Sequence, residues 1–286
     1  KRMIKIIADS ACYLPAELVA EYGILIMPMH ICFGEDTYND QEEISTAQFY
    51  ERLVSGREFP TTSYPAIGRF QQAVDAELAA GNQVLVITIA RPLSGCYDAV
   101  KVLLADYPLD QVAVFDSQSA TLGEGAIVLA AARLIADGCS WPELLAKMPQ
   151  LIARSRGFGA INNLTYLAKG GRISGAAATV ATALRIKPVI NICPDGSLEV
   201  AQKLHGMAKA INWLTERLQQ DGQDFRRTTL FVSYIIQEES AAKLLEQLRA
   251  QMQLGEVIFS QIGPTVGTHL GPGCVALFYL TPPAEE

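Results

Sequence analysis

Long hydrophobic runs are missing from this chain. The most apolar helical stretch, Ala126 to Ala136, is short and carries Arg133, so no membrane span is expected. Excess positive charge is missing as well: 23 lysines and arginines face 30 aspartates and glutamates, for a net charge of −7. Without a basic stripe interleaved with aromatics, no nucleic-acid surface is expected. None of the six cysteines (Cys12, Cys32, Cys96, Cys139, Cys193, Cys274) falls in a C-x-x-C pair. That scatter suggests neither a zinc site nor a disulfide framework, and reduced, mostly buried thiols in a cytoplasm are the expectation. Lys1 to Lys5 leads straight into a strand pattern, so no secretory leader is expected. Gly123-Glu124-Gly125 and Gly157-Phe158-Gly159 both stop short of G-x-G-x-x-G, and no P-loop spacing occurs. Neither a metal nor a cofactor is expected.

What the chain does have is apolar bulk. Half of its 286 residues are hydrophobic and only 19% are charged, enough for two compact domains and for a large core or an apolar internal cavity. From Met3 to Pro142 strand and helix patterns alternate: strands at Met3–Ala8, Ile24–Met29, Val84–Ala90 and Val112–Phe115 are separated by helical stretches. This alternation predicts a mostly parallel, doubly wound sheet. Near Arg154 the rhythm changes. Strands are predicted at Gly157–Ile161, Pro188–Cys193, Leu198–Ala201, Thr229–Tyr234, Val257–Ser260 and Val275–Leu280, with helices near Met207–Gln219 and Glu238–Met252. Gly- and Ala-rich segments precede Pro188, and Pro194-Asp195-Gly196 makes a hairpin turn. The expected fold class is therefore α/β, a parallel doubly wound N-terminal domain (1–154) followed by a smaller α/β domain of mixed sheet direction (155–286).

Several segments could carry chemistry. Ser94-Gly95 follows the buried strand Val84–Ala90 and opens a helix, where free amides and the helix dipole favour an anion. A plain serine N-cap is the alternative. Asp9-Ser10 and Asp116-Ser117 each stand at the carboxyl end of a strand, able to cap the next helix or to line a site. Phe59-Pro60-Thr61-Thr62-Ser63-Tyr64-Pro65 places hydroxyls between two prolines and reads as a rigid turn. In Leu167-Ala168-Lys169-Gly170-Gly171-Arg172-Ile173 a pair of glycines separates two cations, which could face one anion or follow a helix C-cap into solvent. The stretch from Gly263 to Gly273 reads as a Gly/Pro loop carrying His269, one of three histidines, whose imidazole could orient a serine.

Taken in order, these segments resemble the DegV family. Asp9-Ser10 with Leu14-Pro15, Thr62-Ser63-x-Pro65, Ser94-Gly95, Asp116-Ser117, Leu167 through Ile173, Lys187-Pro188, Asp195-Gly196 and His269-x-Gly271-Pro272-Gly273 follow its pattern over about 3–282. The resemblance implies two α/β domains that hold a long-chain, palmitate-like fatty acid between them. It also implies a carrier role: the acid is presented to a separate ATP-dependent fatty acid kinase subunit, and the acyl phosphate passes to phospholipid synthesis. Such a carrier needs no catalytic nucleophile of its own, and its contact with a membrane surface would be transient. By resemblance Thr62 and Ser94, with Gly95, hold the carboxylate, and His269 stands beside it. Ser63, Arg172, Asp9 and Ser10 belong to the surroundings or mouth of that head-group site. Lys203 and His205 fall where a kinase would dock.

The chain departs from the family pattern in three places. Cys96 stands where threonine is usual, Tyr64 where glutamine is common, and His205 replaces an arginine. The first two put the outer hydroxyl shell in question, and the third puts the docking surface in question. From another class, a serine hydrolase or acyltransferase would use Ser94 as nucleophile, His269 as base and Asp9 or Asp116 as orienter. It would lack the G-x-S-x-G elbow.

Overall fold

The computed structural model describes residues 2–174 and 185–283. The Ala-rich stretch expected before Pro188 lies mostly outside the described residues. Strands β1 (Ile4–Asp9), β2 (Leu25–Met27), β6 (Gln83–Thr88) and β7 (Val112–Asp116) form a parallel sheet in the order β2-β1-β6-β7. Their sequences explain this. Val84 through Thr88 are buried without interruption, as suits a strand covered on both faces. The order places the ends of β1, β6 and β7 side by side, so the loops after Asp9, Thr88 and Asp116 share one edge.

A second sheet has six strands in the order β10-β9-β8-β13-β11-β12. These are β8 (Ser155–Ile161), β9 (Ile186–Ile192), β10 (Leu198–His205), β11 (Leu230–Ile235), β12 (Val257–Gln261) and β13 (Cys274–Leu280). All neighbours run antiparallel except β11 and β12, so the sheet is mixed as expected. The β9–β10 hairpin turns at Pro194-Asp195-Gly196: Asp195 accepts from the Ser197 amide at 2.9 Å, and Gly196 sits at φ +86°. Helices Met207–Gln220 and Glu238–Gln251 cover one face of this sheet.

The helix Leu122–Ala136 lies between the two sheets and packs on β1 and β6 as well as on β8, β11 and β13. It is buried on nearly every side, from Leu122 through Leu129, which a helix sandwiched between two layers requires.

One sheet was not foreseen. Strands β3 (His30–Phe33), β4 (Asp36–Asn39) and β5 (Thr61–Ser63) form an antiparallel unit in the order β4-β3-β5. The proline-bounded segment expected as a rigid turn is thus an edge strand, with Thr62 opposite Ile31. Prolines at 60 and 65 flank the pairing and so cost it no hydrogen bond. The stretch from Gly263 to Gly273 is likewise not a plain loop: Pro264–Leu270 is a short helix with proline in its first turn, where the missing N–H is not needed.

Candidate functional site

A cavity of about 250 Å³ opens between the parallel sheet's loop edge, the three-stranded unit and the inner face of the six-stranded sheet. Its walls are mainly apolar. Thr62, Ser63, Ser94, Gly95, Arg172 and His269 all line it, so segments up to 207 residues apart meet there.

These residues are joined in a ring. Thr62 Oγ1 lies 2.7 Å from His269 Nε2. His269 packs on Gly170, where any Cβ would overlap Nδ1. The Arg172 guanidinium bonds back to the Gly170 carbonyl and, through Nε at 3.1 Å, to the Leu93 carbonyl. Leu93 leads into Ser94-Gly95, and a Cβ on Gly95 would rest 3.5 Å from the Tyr64 ring. Tyr64 completes the circuit through Ser63 to Thr62. The two glycines of the Lys169–Arg172 segment therefore have separate reasons. Gly170 makes room for the imidazole, while Gly171 ends the helix Thr165–Gly170 in the left-handed conformation at φ +72°. Arg172 is not a solvated charge after a cap but a half-buried cation bonded across to the parallel sheet.

Burial, reinforced by the charge of Arg172, pulls His269 down to about 3. The ring is neutral at physiological pH, and its Nδ1 has no hydrogen-bond partner among the described residues. With the proton on Nε2, the imidazole donates to Thr62 Oγ1 and leaves that hydroxyl's own proton free for an acceptor in the cavity. Ser94 Oγ accepts from the Cys96 amide at 3.2 Å, just ahead of the helix Cys96–Leu103. Its proton is free in the same way.

Asp9 and Ser10 stand behind this ring rather than on the cavity lining. Asp9 is fully buried; its carboxylate accepts from the amides of Ala11 at 3.0 Å and Ile89 at 2.7 Å. Ser10 donates to Asp40 Oδ2 and accepts from Met29 N. Both brace backbone that borders the cavity at Met29 and Ile89. Asp116 accepts from the amides of Arg91 and Gln118 and so holds the loop, while the next helix, Leu122–Ala136, is capped by Thr121 and not by Asp116. Lys203 and His205 lie on β10, the outer strand, away from the cavity lining. Cys96 is fully buried and faces Asp9, whereas Tyr64 is 42% exposed and borders the cavity.

Sequence reasoning missed a brace. Asp40 Oδ2 accepts from Ser10, from the Tyr13 hydroxyl at 2.7 Å and from the Thr265 hydroxyl at 2.6 Å, while the Thr265 amide donates to Tyr13. This cluster ties the helix bearing His269 to the start of the chain. A lone buried aspartate after an unrecognised strand left no readable signal. A hydrolase triad does not form: neither Asp9 nor Asp116 meets His269, whose Nδ1 such a carboxylate would need to hold. Among the described residues no cluster of three metal-ligating side chains occurs, and no helix is long and apolar enough to cross a membrane.

Comparison with known proteins agrees with this architecture. The family model for "Uncharacterised protein, DegV family" matches residues 3–282. Protein DegV of Bacillus subtilis is 31% identical over 278 residues, 96% of this chain and 98% of that protein. A DegV family protein from Thermus thermophilus, described by its fatty acid binding, superimposes with a TM-score of 0.90 at 28% identity, covering 98% of this chain and all of the other. A stearic acid-binding protein from Eubacterium ventriosum gives a TM-score of 0.88 at 26% identity and 98% coverage of each chain. The chain belongs to the DegV family.

Proposed function

We propose that this protein binds a long-chain fatty acid in the cavity, its carboxylate held by Thr62 and Ser94 and its acyl chain lying along the apolar walls. The observation that carries the reading is the ring itself, with hydroxyl, imidazole and guanidinium groups gathered around a cavity that is otherwise apolar. The two hydroxyl protons point to an acceptor. The start of the helix Cys96–Leu103 and the Arg172 cation favour a negative one. His269, kept neutral, orients Thr62 without adding a competing charge. The described fatty-acid binding of structural neighbours supports the same reading. A palmitate-like chain of ~16 carbons, at ~0.8 kcal/mol per buried methylene, supplies on the order of 10 kcal/mol before ordering costs. Affinity then comes from the tail and orientation from the head.

The carrier role extends this. A carboxylate at the ring lies beside exposed aromatic surface, Phe59 at 45% and Tyr64 at 42%, and we assign that rim to a separate ATP-dependent kinase subunit that phosphorylates the acid to an acyl phosphate for phospholipid synthesis. Lys203 and His205 would extend the docking surface, and the cytoplasm would be its setting. We place the division between the two α/β domains at 154/155, with the cavity between them.

Native mass spectrometry of the purified protein, followed by lipid extraction, tests the binding. The expected result is co-purified fatty acid at up to one per chain. A lipid-free protein that takes up no added fatty acid would sink the proposal. Phosphorylation of the bound acid by an added kinase and ATP tests the carrier role separately.

A further inference from the structure

Two antiparallel strands form the floor of the cavity, and their inward residues are paired in steps. Ile161 lies opposite Cys274, Gly159 opposite Ala276, and Gly157 opposite Phe278. The first step adjoins the head-group ring, since Cys274 follows the His269 helix after Gly271-Pro272-Gly273. The middle step is nearly bare: a Cβ on Gly159 would sit 3.4 Å from the Ala276 Cβ. At the third step the lining ends on an aromatic ring. Phe278 lines the cavity, whereas Gly157 and Leu280, its neighbours beyond, do not.

The seat of that ring is made by two missing side chains. A Cβ on Gly157 would come within 2.6 Å of the Phe278 ring, and one on Gly123 of the central helix within 2.9 Å. Phe278 is thus wedged between the strand and the helix, 3% exposed. Ile192 and Leu198, paired across the β9–β10 hairpin, line the cavity beside it. From Cys274 to Phe278 the strand advances about 14 Å.

We infer that Phe278 is the wall on which the methyl end of the acyl chain stops, and that the Gly159–Ala276 step is the passage leading to it. Together they set which chain lengths the protein accepts. This rests on the proposal that the acyl chain lies in the cavity. The consequence is quantitative, because each methylene admitted or expelled changes affinity roughly fourfold.

The experiment is a competition in which the purified protein is exposed to equal amounts of saturated fatty acids from dodecanoate to eicosanoate. Bound acids are then extracted and quantified. Phe278→Leu is expected to raise the ratio of the acid two carbons longer to the wild-type favourite by roughly fifteenfold. Ala276→Leu, which fills the passage while leaving Gly123, Gly157 and Phe278 unchanged, is expected to move the profile towards shorter acids by a similar factor. Both variants folded and fully loaded but keeping the wild-type profile would overturn the inference. A wild-type protein that binds none of the acids would instead overturn the fatty-acid reading on which it rests.

Discussion

The two faces of β13 differ in a way that hydropathy does not record. Val275, Leu277 and Tyr279 point to one side and join a cluster with Leu214 and Leu244 that lies off the cavity lining. Cys274, Ala276 and Phe278 point to the other and join the core shared with the parallel sheet, where they border the cavity. Both faces are apolar, and both are buried. Size separates them: large side chains fill one face, while Gly159, Cys274 and Ala276 leave space on the other ahead of Phe278. A binding cavity in this fold is thus written as an alternation of volume within an apolar run, and the space persists because native cores are otherwise packed to near-crystal density.

The largest expected effect lies on the packed face. Leu277 is fully buried, and Leu277→Ala is expected to cost about 2–5 kcal/mol, because transfer and cavity terms add. Cys274→Ala, three residues earlier on the open face, removes one atom that already borders a void and is expected to cost under about 1 kcal/mol. Urea denaturation of both variants checks the pair. Equal losses would erase the contrast between the faces.

A second contrast sets the polar ring against a closed polar group. Glu124 is 0% exposed, and neither of its carboxyl oxygens has a hydrogen-bond partner among the described residues. Burial first, then the charges of Asp9 and Asp116, push its carboxyl well above the ordinary value. Burial likewise pushes Asp9 to about 7, against the pull of the Ile89 and Ala11 amides. Both groups hold their protons more tightly folded than unfolded. The stability tied to those protons is therefore complete below about pH 4 and is lost as pH rises through the folded values, near 7 for Asp9. Glu124→Leu is expected to raise stability at neutral pH by roughly 1–3 kcal/mol and to flatten the decline that begins above about pH 4. Thermal melts across that range decide it. An unchanged slope would mean that Glu124 is already satisfied.

How much of this was readable depended on where the signal lay. The parallel strands announced themselves as unbroken apolar runs. The β9–β10 turn was legible from Pro194-Asp195-Gly196. The strand Thr61–Ser63 was not, because flanking prolines and a three-residue length carry no alternation. Its partner hairpin carries one local cue, Gly34 at φ +59° between β3 and β4. The His269 helix was hidden by glycines that usually mark loops, although Pro264 after Gly263 is a helix-start signal. For the site, motif order brought Thr62, Ser94, Arg172 and His269 together. The braces behind them, Asp40, Tyr13 and Thr265, meet only in three dimensions.

The ring is open where Glu124 is closed, and substitutions there are expected to move binding rather than stability. On the proposed reading Ser94→Ala removes a hydroxyl that would donate to the head group, an expected loss of about tenfold in fatty-acid affinity. Its cost to folding is under about 1 kcal/mol, since only the bond from the Cys96 amide is given up. Titration with a fluorescent fatty acid, set beside a denaturant curve, separates the two. Equal losses in both would reduce Ser94 to a helix cap and remove it from the site.

The smallest expected effect is an absence, and it tests the ring most directly. Because burial and Arg172 hold His269 near 3, its imidazole stays neutral across the pH range in which an ordinary histidine titrates. Fatty-acid affinity should therefore be level from roughly pH 6 to 8, even though a histidine stands 2.7 Å from the threonine proposed to hold the carboxylate. A cationic His269 would instead strengthen carboxylate binding as pH falls. Isothermal titration at several pH values distinguishes these cases. A step centred near the usual histidine value, and abolished by His269→Gln, would show that the imidazole takes up a proton when the acid binds and that the ring pairs charge with charge. A level profile leaves Thr62, oriented by a neutral ring, as the group that meets the carboxylate.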